Sequence, residues 1–263
     1  MKYGIEEIQK YWMDQAAEHG QSPAASWSDV WAIELEIKAI ADRLEDGDSV
    51  LDIGCANGYS TVRYAMLRDV RIQGIDYIPQ MIEQARERVE AISKSLCGQV
   101  DFSVGDITAL SLTSGSYNKV ISTRVIINLE SWERQLIGLK ECGRVLKPGG
   151  IFLLSEATLQ GWRNLNRFRR EWNLPEISMP PFNLYLDEEK VIEALRPDLE
   201  LVELVNFAST YFVGTRLLKP LLIKALGLSI DVANPNMEWN CWFAQLPAWG
   251  DYGTQKLFVF RKL

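Results

Sequence analysis

Few of the side chains that enzymes use for nucleophilic or metal-assisted catalysis occur in this chain. Its 263 residues include a single histidine, His19, and four cysteines. We therefore expect no metal, no histidine-based metal site and no Ser-His-Asp triad. The cysteines lie far apart, at 55, 97, 142 and 241, and form no C-x-x-C pair. We predict that all four are buried, reduced thiols, as in a cytosolic protein.

Two further absences limit the partners. No uninterrupted apolar run reaches roughly 18 residues, the length of a membrane-spanning helix, and residues 1–15 lack the apolar centre of a signal peptide. Acidic residues outnumber basic ones by 35 to 28, which gives a formal net charge of −7. Because duplex nucleic acids and anionic membranes select basic surfaces, neither is an expected partner. The sequence predicts a cytoplasmic protein, monomeric or homodimeric.

Helical and strand-like patterns alternate from about residue 30 to residue 156. Apolar residues three or four positions apart, such as Ile33, Ile37 and Ile40, predict helices, whereas short apolar runs predict five buried strands. This alternation is typical of an α/β fold with a doubly wound, mostly parallel sheet. The stretches 199–212 and 254–260 predict a sixth and a seventh strand. Aromatic-rich segments at about 157–190 and 213–253 predict folded insertions after strands five and six.

A strand runs into a small-residue loop between Val50 and Gly58. Such a loop lets a ligand reach the backbone at the carboxyl ends of parallel strands. The next predicted strand ends in an acid, Asp76, 24 residues after Asp52. An acid at that place can accept both hydroxyls of a ribose. The pattern therefore implies a nucleoside ligand.

The same loop is a poor match for a dinucleotide. In the pattern G-x-G-x-x-G the third glycine position is occupied here by Tyr59. A pyrophosphate also disfavours a nearby anion, yet Asp52 lies just ahead of the loop and no Lys or Arg occurs from 44 to 62. A cationic, phosphate-free nucleoside such as S-adenosylmethionine fits better.

Five motifs in order then resemble the class I, Rossmann-like S-adenosylmethionine-dependent methyltransferases. They lie at 52–58, 74–76, 104–107, 117–122 and 144–150, and the resemblance covers about 48–156. One departure is Ala56, where many relatives carry glycine. Past residue 156 the chain is similar to uncharacterised bacterial members, some of them linked to polysaccharide or natural-product genes. The resemblance implies an antiparallel last strand, an N-terminal helical lid at 1–29 and a methyltransferase domain at 30–263.

The resemblance also implies a cofactor site for S-adenosylmethionine, with S-adenosylhomocysteine as the product. Gly54, Ala56 and Gly58 would pass under its amino-acid end, and Asp76 would hold the ribose. Tyr77 and Met81 would flank the adenine, whose amino edge would meet Asp106 and Ile107. The full set of expected cofactor contacts is Tyr11, Asp52, Gly54, Ala56, Gly58, Asp76, Tyr77, Met81, Asp106, Ile107, Ser122 and Thr123.

Methyl transfer from a sulfonium needs alignment and exclusion of water more than it needs an acid or a base. Only the acceptor can require a base. The candidate catalytic residues are His19 in the N-terminal segment, Glu156 after the fifth strand and Arg124 after the fourth. The candidate acceptor contacts are Asn128, Trp162, Tyr185, Trp239 and Trp242. Each of these residues also has a purely structural interpretation. His19 can simply end a helix, Glu156 can be a loop acid and Arg124 can form a surface ion pair. Asn128 can be a helix-entry residue, and the aromatic rings can fill a core.

Three functions remain open from the sequence. The first is methyl transfer to a small molecule, expected to occur on an oxygen of a sugar or natural-product-like intermediate, since the N-P-P-Y type of strand-four ending is replaced by Ser122-Thr123-Arg124-Val125. The second is methylation of a protein or RNA, with the arginines between 163 and 170 as a basic face. The third is a non-catalytic relative that binds the nucleoside, because binding and transfer share the same loop.

Overall fold

The computed structural model describes residues 4–92 and 95–263 as a seven-stranded sheet flanked by helices. The strands are β1 Ser49–Ile53, β2 Arg71–Asp76, β3 Gln99–Val104, β4 Tyr117–Thr123, β5 Leu146–Ala157, β6 Leu199–Val205 and β7 Gln255–Lys262. The helices are α1 Ile5–His19, α2 Val30–Ala41, α3 Tyr59–Leu67, α4 Pro79–Ile92, α5 Trp132–Val145, α6 Leu159–Glu171, α7 Glu188–Leu195, α8 Ser209–Phe212, α9 Lys219–Leu226 and α10 Glu238–Ala244.

The strand order is β3-β2-β1-β4-β5-β7-β6. Strands β1 to β5 pair in parallel, and β7 runs antiparallel to both of its neighbours, β5 and β6. The doubly wound, mostly parallel sheet with an antiparallel last strand is therefore confirmed. The order reverses direction at β1, with β2 on one side and β4 on the other, and this reversal opens a crevice at the carboxyl ends of the strands.

Alternate residues along the strands build a separate core on each face of the sheet. Val50 and Leu153 pack in one cluster with Ile37 of α2. Their neighbours Leu51 and Leu154 pack in the other cluster, which contains apolar residues of α5 and α7. This alternation follows from the two-residue period of a strand, and it explains why the central strands read as continuous apolar runs.

Two expectations from the sequence need correction. The sixth strand ends at Val205 instead of continuing to 212, because residues 209–212 form the short helix α8, which leads through a π-helical segment, Val213–Leu218, into α9. The predicted second insertion is consequently mostly helical. Of the four cysteines, Cys55 and Cys142 are buried, but Cys97 is exposed and Cys241 is partly exposed.

Within the described part of the chain, no helix has the length and apolar character needed to cross a membrane.

A buried polar network ties this second insertion to α2. Asp29 caps α2 by accepting a hydrogen bond from the Ala32 amide at 3.3 Å, and it is only 5% exposed. Its carboxylate also accepts from the Tyr211 hydroxyl at 2.6 Å and forms an ion pair with Arg216. The helix cap and the attachment of the insertion therefore depend on one carboxylate.

We expect Asp29→Ala to lower the free energy of unfolding by about 3 kcal/mol, because it leaves a partly buried guanidinium without its partner as well as removing a cap. Urea denaturation measures the change. Asp187→Ala is the control, since Asp187 caps α7 without an ion pair, and a loss of about 1 kcal/mol is expected for it. Equal losses in the two variants would contradict the role of the Asp29–Arg216 pair.

Candidate active site

A cleft lies at the carboxyl ends of β1, β2 and β4. Its walls come from the loop after β1, the ends of β2 and β3, the loop after β4, and the helix α1. This is the crevice that the strand order creates. Its position matches the place where the sequence motifs converge.

The loop between β1 and α3 adopts a backbone that favours glycine. Gly54 and Gly58 both have φ of +72°. A Cβ atom on Gly54 would overlap the side chain of Val125 in the loop after β4, and one on Gly58 would meet Phe102. Ala56 also lies in the left-handed region, with φ of +47°, a conformation that glycine adopts with less strain. The two glycines keep the loop tight against the sheet.

Two buried acids face the cleft from the first two strands. Asp76 accepts hydrogen bonds from the amides of Ala56 at 3.0 Å and Ile78 at 2.9 Å. Asp52 accepts from the Thr61 hydroxyl at 2.5 Å. Burial raises the pKa of each carboxyl to about 6. Both acids are therefore largely ionised at neutral pH, and they favour a ligand that is a cation or that donates hydrogen bonds.

An apolar slot lies beside Asp76. Met81 and Ile107 are nearly fully buried and line the cleft, together with Tyr77. Burial and the neighbouring Asp76 raise the pKa of the Tyr77 phenol, which stays neutral. Asp106 is exposed at the rim, where its Oδ1 atom accepts hydrogen bonds from the amide and the hydroxyl of Thr108. These side chains give this end of the cleft an apolar wall beside an acid.

The loop after β4 forms the opposite wall. Arg124 has φ of +57° and forms a buried ion pair with Glu36 of α2. Burial lowers its pKa to about 10, so the guanidinium stays charged at neutral pH. The Asn128 side chain donates to the Arg124 carbonyl at 2.6 Å and accepts from Asn183 at 2.8 Å. Both side chains thus have structural partners as well as a place on the cleft.

Helix α1 covers the cleft with an apolar face. Ile5, Ile8 and Trp12, spaced three and four residues apart, line it, as expected for one face of a helix. Tyr11 does not line the cleft: its ring lies 4.6 Å from the ring of Phe182 in the first insertion. The expected contact between Tyr11 and the cofactor is therefore replaced by a packing contact, and Trp12 occupies the wall instead.

Most of the predicted cofactor residues converge on this cleft. Those that line it are Asp52, Gly54, Ala56, Asp76, Tyr77, Met81, Asp106, Ile107 and Thr123. Gly58 does not line it but lets the loop pack against Phe102. Ser122 lies one residue deeper in β4, fully buried, and its hydroxyl has no hydrogen-bond partner among the described residues. It does not reach the cleft.

Of the candidate catalytic residues, only Arg124 lines the cleft. His19 ends α1 seven residues beyond Trp12, which is roughly 10 Å farther along the helix. Glu156 is completely buried, and its Oε1 atom accepts hydrogen bonds from the amides of Val125 and Ile126. Neither His19 nor Glu156 is placed to take a proton from a molecule in the cleft.

The predicted aromatic roof is not part of the cleft. Trp162 and Trp239 donate their indole N–H groups to the carbonyls of Ile177 and Gly214, at 2.8 and 2.9 Å. Tyr185 packs against the core on the α5 face, and Trp242 is 57% exposed. Trp162, Trp239 and Tyr185 therefore make internal packing contacts, in which large rings bury much apolar surface, whereas Trp242 lies on the surface. Of the candidate acceptor residues, only Asn128 lines the cleft.

Several cleft residues were not predicted from the sequence. Ile5, Ile8 and Trp12 carry a detectable signal, since their spacing predicts one apolar face of a helix. Ser26, Leu129 and Arg134 carry none, because only the folded chain brings them to the cleft. Among the described residues, no group of three His, Cys, Asp or Glu side chains is arranged to hold a metal ion.

Comparison with known proteins identifies a methyltransferase domain in this chain. A family model described as a methyltransferase domain matches residues 44–185, more than half of the chain. An O-methyltransferase of Aspergillus nomiae, rstn1, is 29% identical over 150 residues, which cover 55% of this chain and 64% of that protein. The 27-O-demethylrifamycin SV methyltransferase of Amycolatopsis mediterranei is 30% identical over 117 residues, 44% of this chain and 41% of that protein. This chain therefore spans less than two thirds of the length of either curated relative.

Among solved structures, the N-methyltransferase NodS from Bradyrhizobium japonicum in complex with S-adenosylhomocysteine has the same fold. The TM-score is 0.59 at 17% sequence identity, and the alignment covers 97% of this chain and 98% of that one. At this identity the likeness concerns the fold.

We expect Gly54→Ala to destabilise the protein by at least about 2 kcal/mol more than Gly149→Ala. Both glycines have nearly the same φ, +72° and +74°, but a Cβ on Gly149 meets nothing within 4 Å. Gly149→Ala is therefore expected to lower the free energy of unfolding only by the backbone strain, about 1 kcal/mol. Gly54→Ala adds an overlap with the Val125 side chain. Thermal or urea denaturation of the two variants gives the comparison. Equal losses would mean that the two loops do not pack as described.

Proposed function

The chain belongs to the class I S-adenosylmethionine-dependent methyltransferases, and we propose that it transfers a methyl group to an oxygen of a small molecule of sugar or natural-product type. The observation that carries this proposal is the cleft itself. Its cofactor end holds two buried acids and an apolar slot, and Ile5, Ile8 and Trp12 of α1 cover the cleft, with Trp12 packed against the cluster that contains Met81 and Tyr77. A cover of this kind admits a small acceptor more readily than a folded macromolecule.

The residues present fit the cofactor. Asp76 supports the ribose contact because it ends β2 in the cleft and, when ionised, each of its oxygens can accept a further hydrogen bond. The apolar side chains of Met81 and Ile107, with Tyr77, support an adenine contact beside it. The negative charges of Asp52 and Asp76 favour a sulfonium and an ammonium group. When bound, S-adenosylmethionine supplies an activated methyl group on a sulfur that leaves without needing a proton.

The protein's contribution is then to align the acceptor and to exclude water. The loop after β4, with Thr123, Arg124 and Val125, faces the loop after β1 across the cleft. The apolar face of α1 shields the space between them. Arg124 is neutralised by Glu36, so the wall on the acceptor side carries little net charge.

The set of lining residues also bears on the acceptor. In the described part of the chain, the cleft has no histidine and no lysine among its lining residues. Its two buried acids lie on the cofactor side, and Glu130, which lines the cleft after the loop that follows β4, is paired with Arg134 at 3.5 Å. A hydroxyl that is itself acidic, such as a phenol or an enol, requires no strong base nearby. Within the natural-product class we therefore favour an acceptor with such a hydroxyl. Curated relatives whose names refer to methylation on oxygen, among them the two described above, support oxygen as the acceptor atom.

Methylation of RNA or protein has less support. Two arginines of the predicted basic face around 163–170 make contacts within the protein. Arg169 donates to the carbonyls of Pro175 and Arg216, and Arg170 forms an ion pair with Glu176. These contacts leave fewer free cations for an acidic partner.

The acceptor class is tested with S-adenosylmethionine carrying a labelled methyl group. We expect label in small molecules from a panel of phenols and enols, with less in simple sugars and none in bulk RNA or in a protein extract. Label in RNA or protein alone would contradict the small-molecule assignment. If the protein binds the cofactor but transfers label to none of the small molecules, the RNA or the protein extract, the result would favour a non-catalytic relative that only binds the nucleoside.

We expect Asp76→Asn to weaken binding of S-adenosylhomocysteine at least tenfold at pH 7.5. The ribose hydroxyls donate to the carboxylate, so the ligand selects its ionised form. Because the pKa of Asp76 is about 6, wild-type affinity should rise from pH 5 to pH 7 and level off above it. The variant should keep only the smaller pH dependence that Asp52 causes.

Calorimetric titrations between pH 5 and pH 8 measure both effects. Asp101→Asn, an exposed acid on β3, is the matched control and should leave the affinity unchanged. Affinity in Asp76→Asn within twofold of wild type would refute the ribose contact.

A further inference from the structure

We propose that Glu156 is a positioning residue that fixes the loop after β4 against the loop after β1, so that the acceptor side and the donor side of the cleft keep one relative placement. The proposal rests on the proposed function, since it concerns the two walls between which the methyl group would move. Glu156 does not line the cleft and is completely buried. It therefore acts through the backbone that it holds.

The first step is the hydrogen bonding of the loop. The Oε1 atom of Glu156 accepts from the amide of Val125 at 2.8 Å and from the amide of Ile126 at 2.7 Å. These residues begin the 3₁₀ turn Ile126–Asn128, whose N-terminal residue provides no side-chain cap of its own. Glu156, thirty residues away in the sequence, supplies the missing cap.

The second step connects this cap to the cofactor loop. The side chain of Val125 occupies the space that a Cβ on Gly54 would need. The position of the Val125 backbone consequently sets how closely the two loops approach. By holding the Val125 amide, Glu156 sets the distance between the wall that carries Gly54 and the wall that carries Arg124.

The third step is the conformation that has to be maintained. Arg124 is one of three non-glycine residues in the described chain with positive φ. A residue with a side chain in this region is strained, and the conformation persists only where its surroundings hold it. The Arg124 amide donates to the Ser155 carbonyl at 2.9 Å, and Glu156 holds the next two amides. Together they enforce the turn that brings Arg124 to the cleft.

The remaining oxygen indicates how Glu156 acts. Its Oε2 atom is buried and has no hydrogen-bond partner among the described residues. Burial raises the pKa of the carboxyl to about 8, so it is largely a neutral acid at pH 7. Its useful property is then a correctly placed acceptor oxygen, which a glutamine of the same length also has.

The test compares Glu156→Gln and Glu156→Leu with Glu188→Leu. Glu188 is a matched control because it is also a buried acid next to the carboxyl end of β5, where it accepts from Thr158 and Lys256 without touching the loop after β4. The first measurement is amide hydrogen exchange by NMR without cofactor. We expect Val125 and Ile126 to exchange at least tenfold faster in Glu156→Leu, and within threefold of wild type in Glu156→Gln and Glu188→Leu.

The second measurement reports on the reactive carbon. Each protein is saturated with S-adenosylmethionine carrying a ¹³C-labelled methyl group, and the methyl resonance of the bound cofactor is recorded. We expect Glu156→Leu to shift or broaden this resonance, and Glu156→Gln and Glu188→Leu to reproduce the wild-type signal. If Glu156→Leu does not fold, Glu156→Asp, whose shorter side chain cannot reach both amides, takes its place.

Unchanged exchange at Val125 and Ile126 in the leucine variant, or a glutamine variant as impaired as leucine, would overturn the positioning role. A methyl resonance that is the same in all variants would overturn it as well. If the wild-type protein does not bind S-adenosylmethionine, the proposed function fails, while the exchange measurement still decides whether Glu156 holds the loop.

Discussion

The buried ion pair between Glu36 and Arg124 is the interaction on which the cleft most depends. Glu36 is 1% exposed and also accepts hydrogen bonds from Ser155 at 2.5 Å and Gln255 at 3.2 Å. Through these contacts α2, the loop after β4, β5 and β7 share one carboxylate. Removing either charge would leave the other buried without a partner, which is far more costly than the pair is stabilising. The network therefore specifies one arrangement of these elements.

This pairing also determines the charge that a ligand meets. If Arg124 were free, its guanidinium would repel a cation in the cleft. With Glu36 bound to it, the buried acids Asp52 and Asp76 and the exposed Asp106 at the rim leave the cofactor end negatively charged. A positively charged nucleoside is favoured at that end, and an uncharged acceptor is favoured at the other. The division of the cleft into two halves thus follows from which charges are paired inside the protein.

The sequence predicted the cofactor half much better than the acceptor half, and the reason is physical. Gly54, Gly58 and Asp76 are required by a loop and a strand end that are local in the chain, so their spacing carries the information. The role of Glu156 depends on a backbone contact thirty residues away, for which no spacing rule exists. Trp162 and Trp239 were candidate acceptor contacts because large rings suit both a binding wall and a core, and composition alone does not separate the two.

The same division explains how relatives of low identity can share this fold and differ in substrate. The cofactor half is restricted by positive φ and by overlaps such as Gly54 with Val125, which few side chains satisfy. The cover of the cleft is formed by Ile5, Ile8 and Trp12 of α1, where apolar residues of many shapes would maintain the helix. These residues precede the segment 44–185 that the family model matches. The matched residues therefore include the loop after β4 but not the cover that α1 places over the cleft, so they do not carry over a relative's acceptor by themselves.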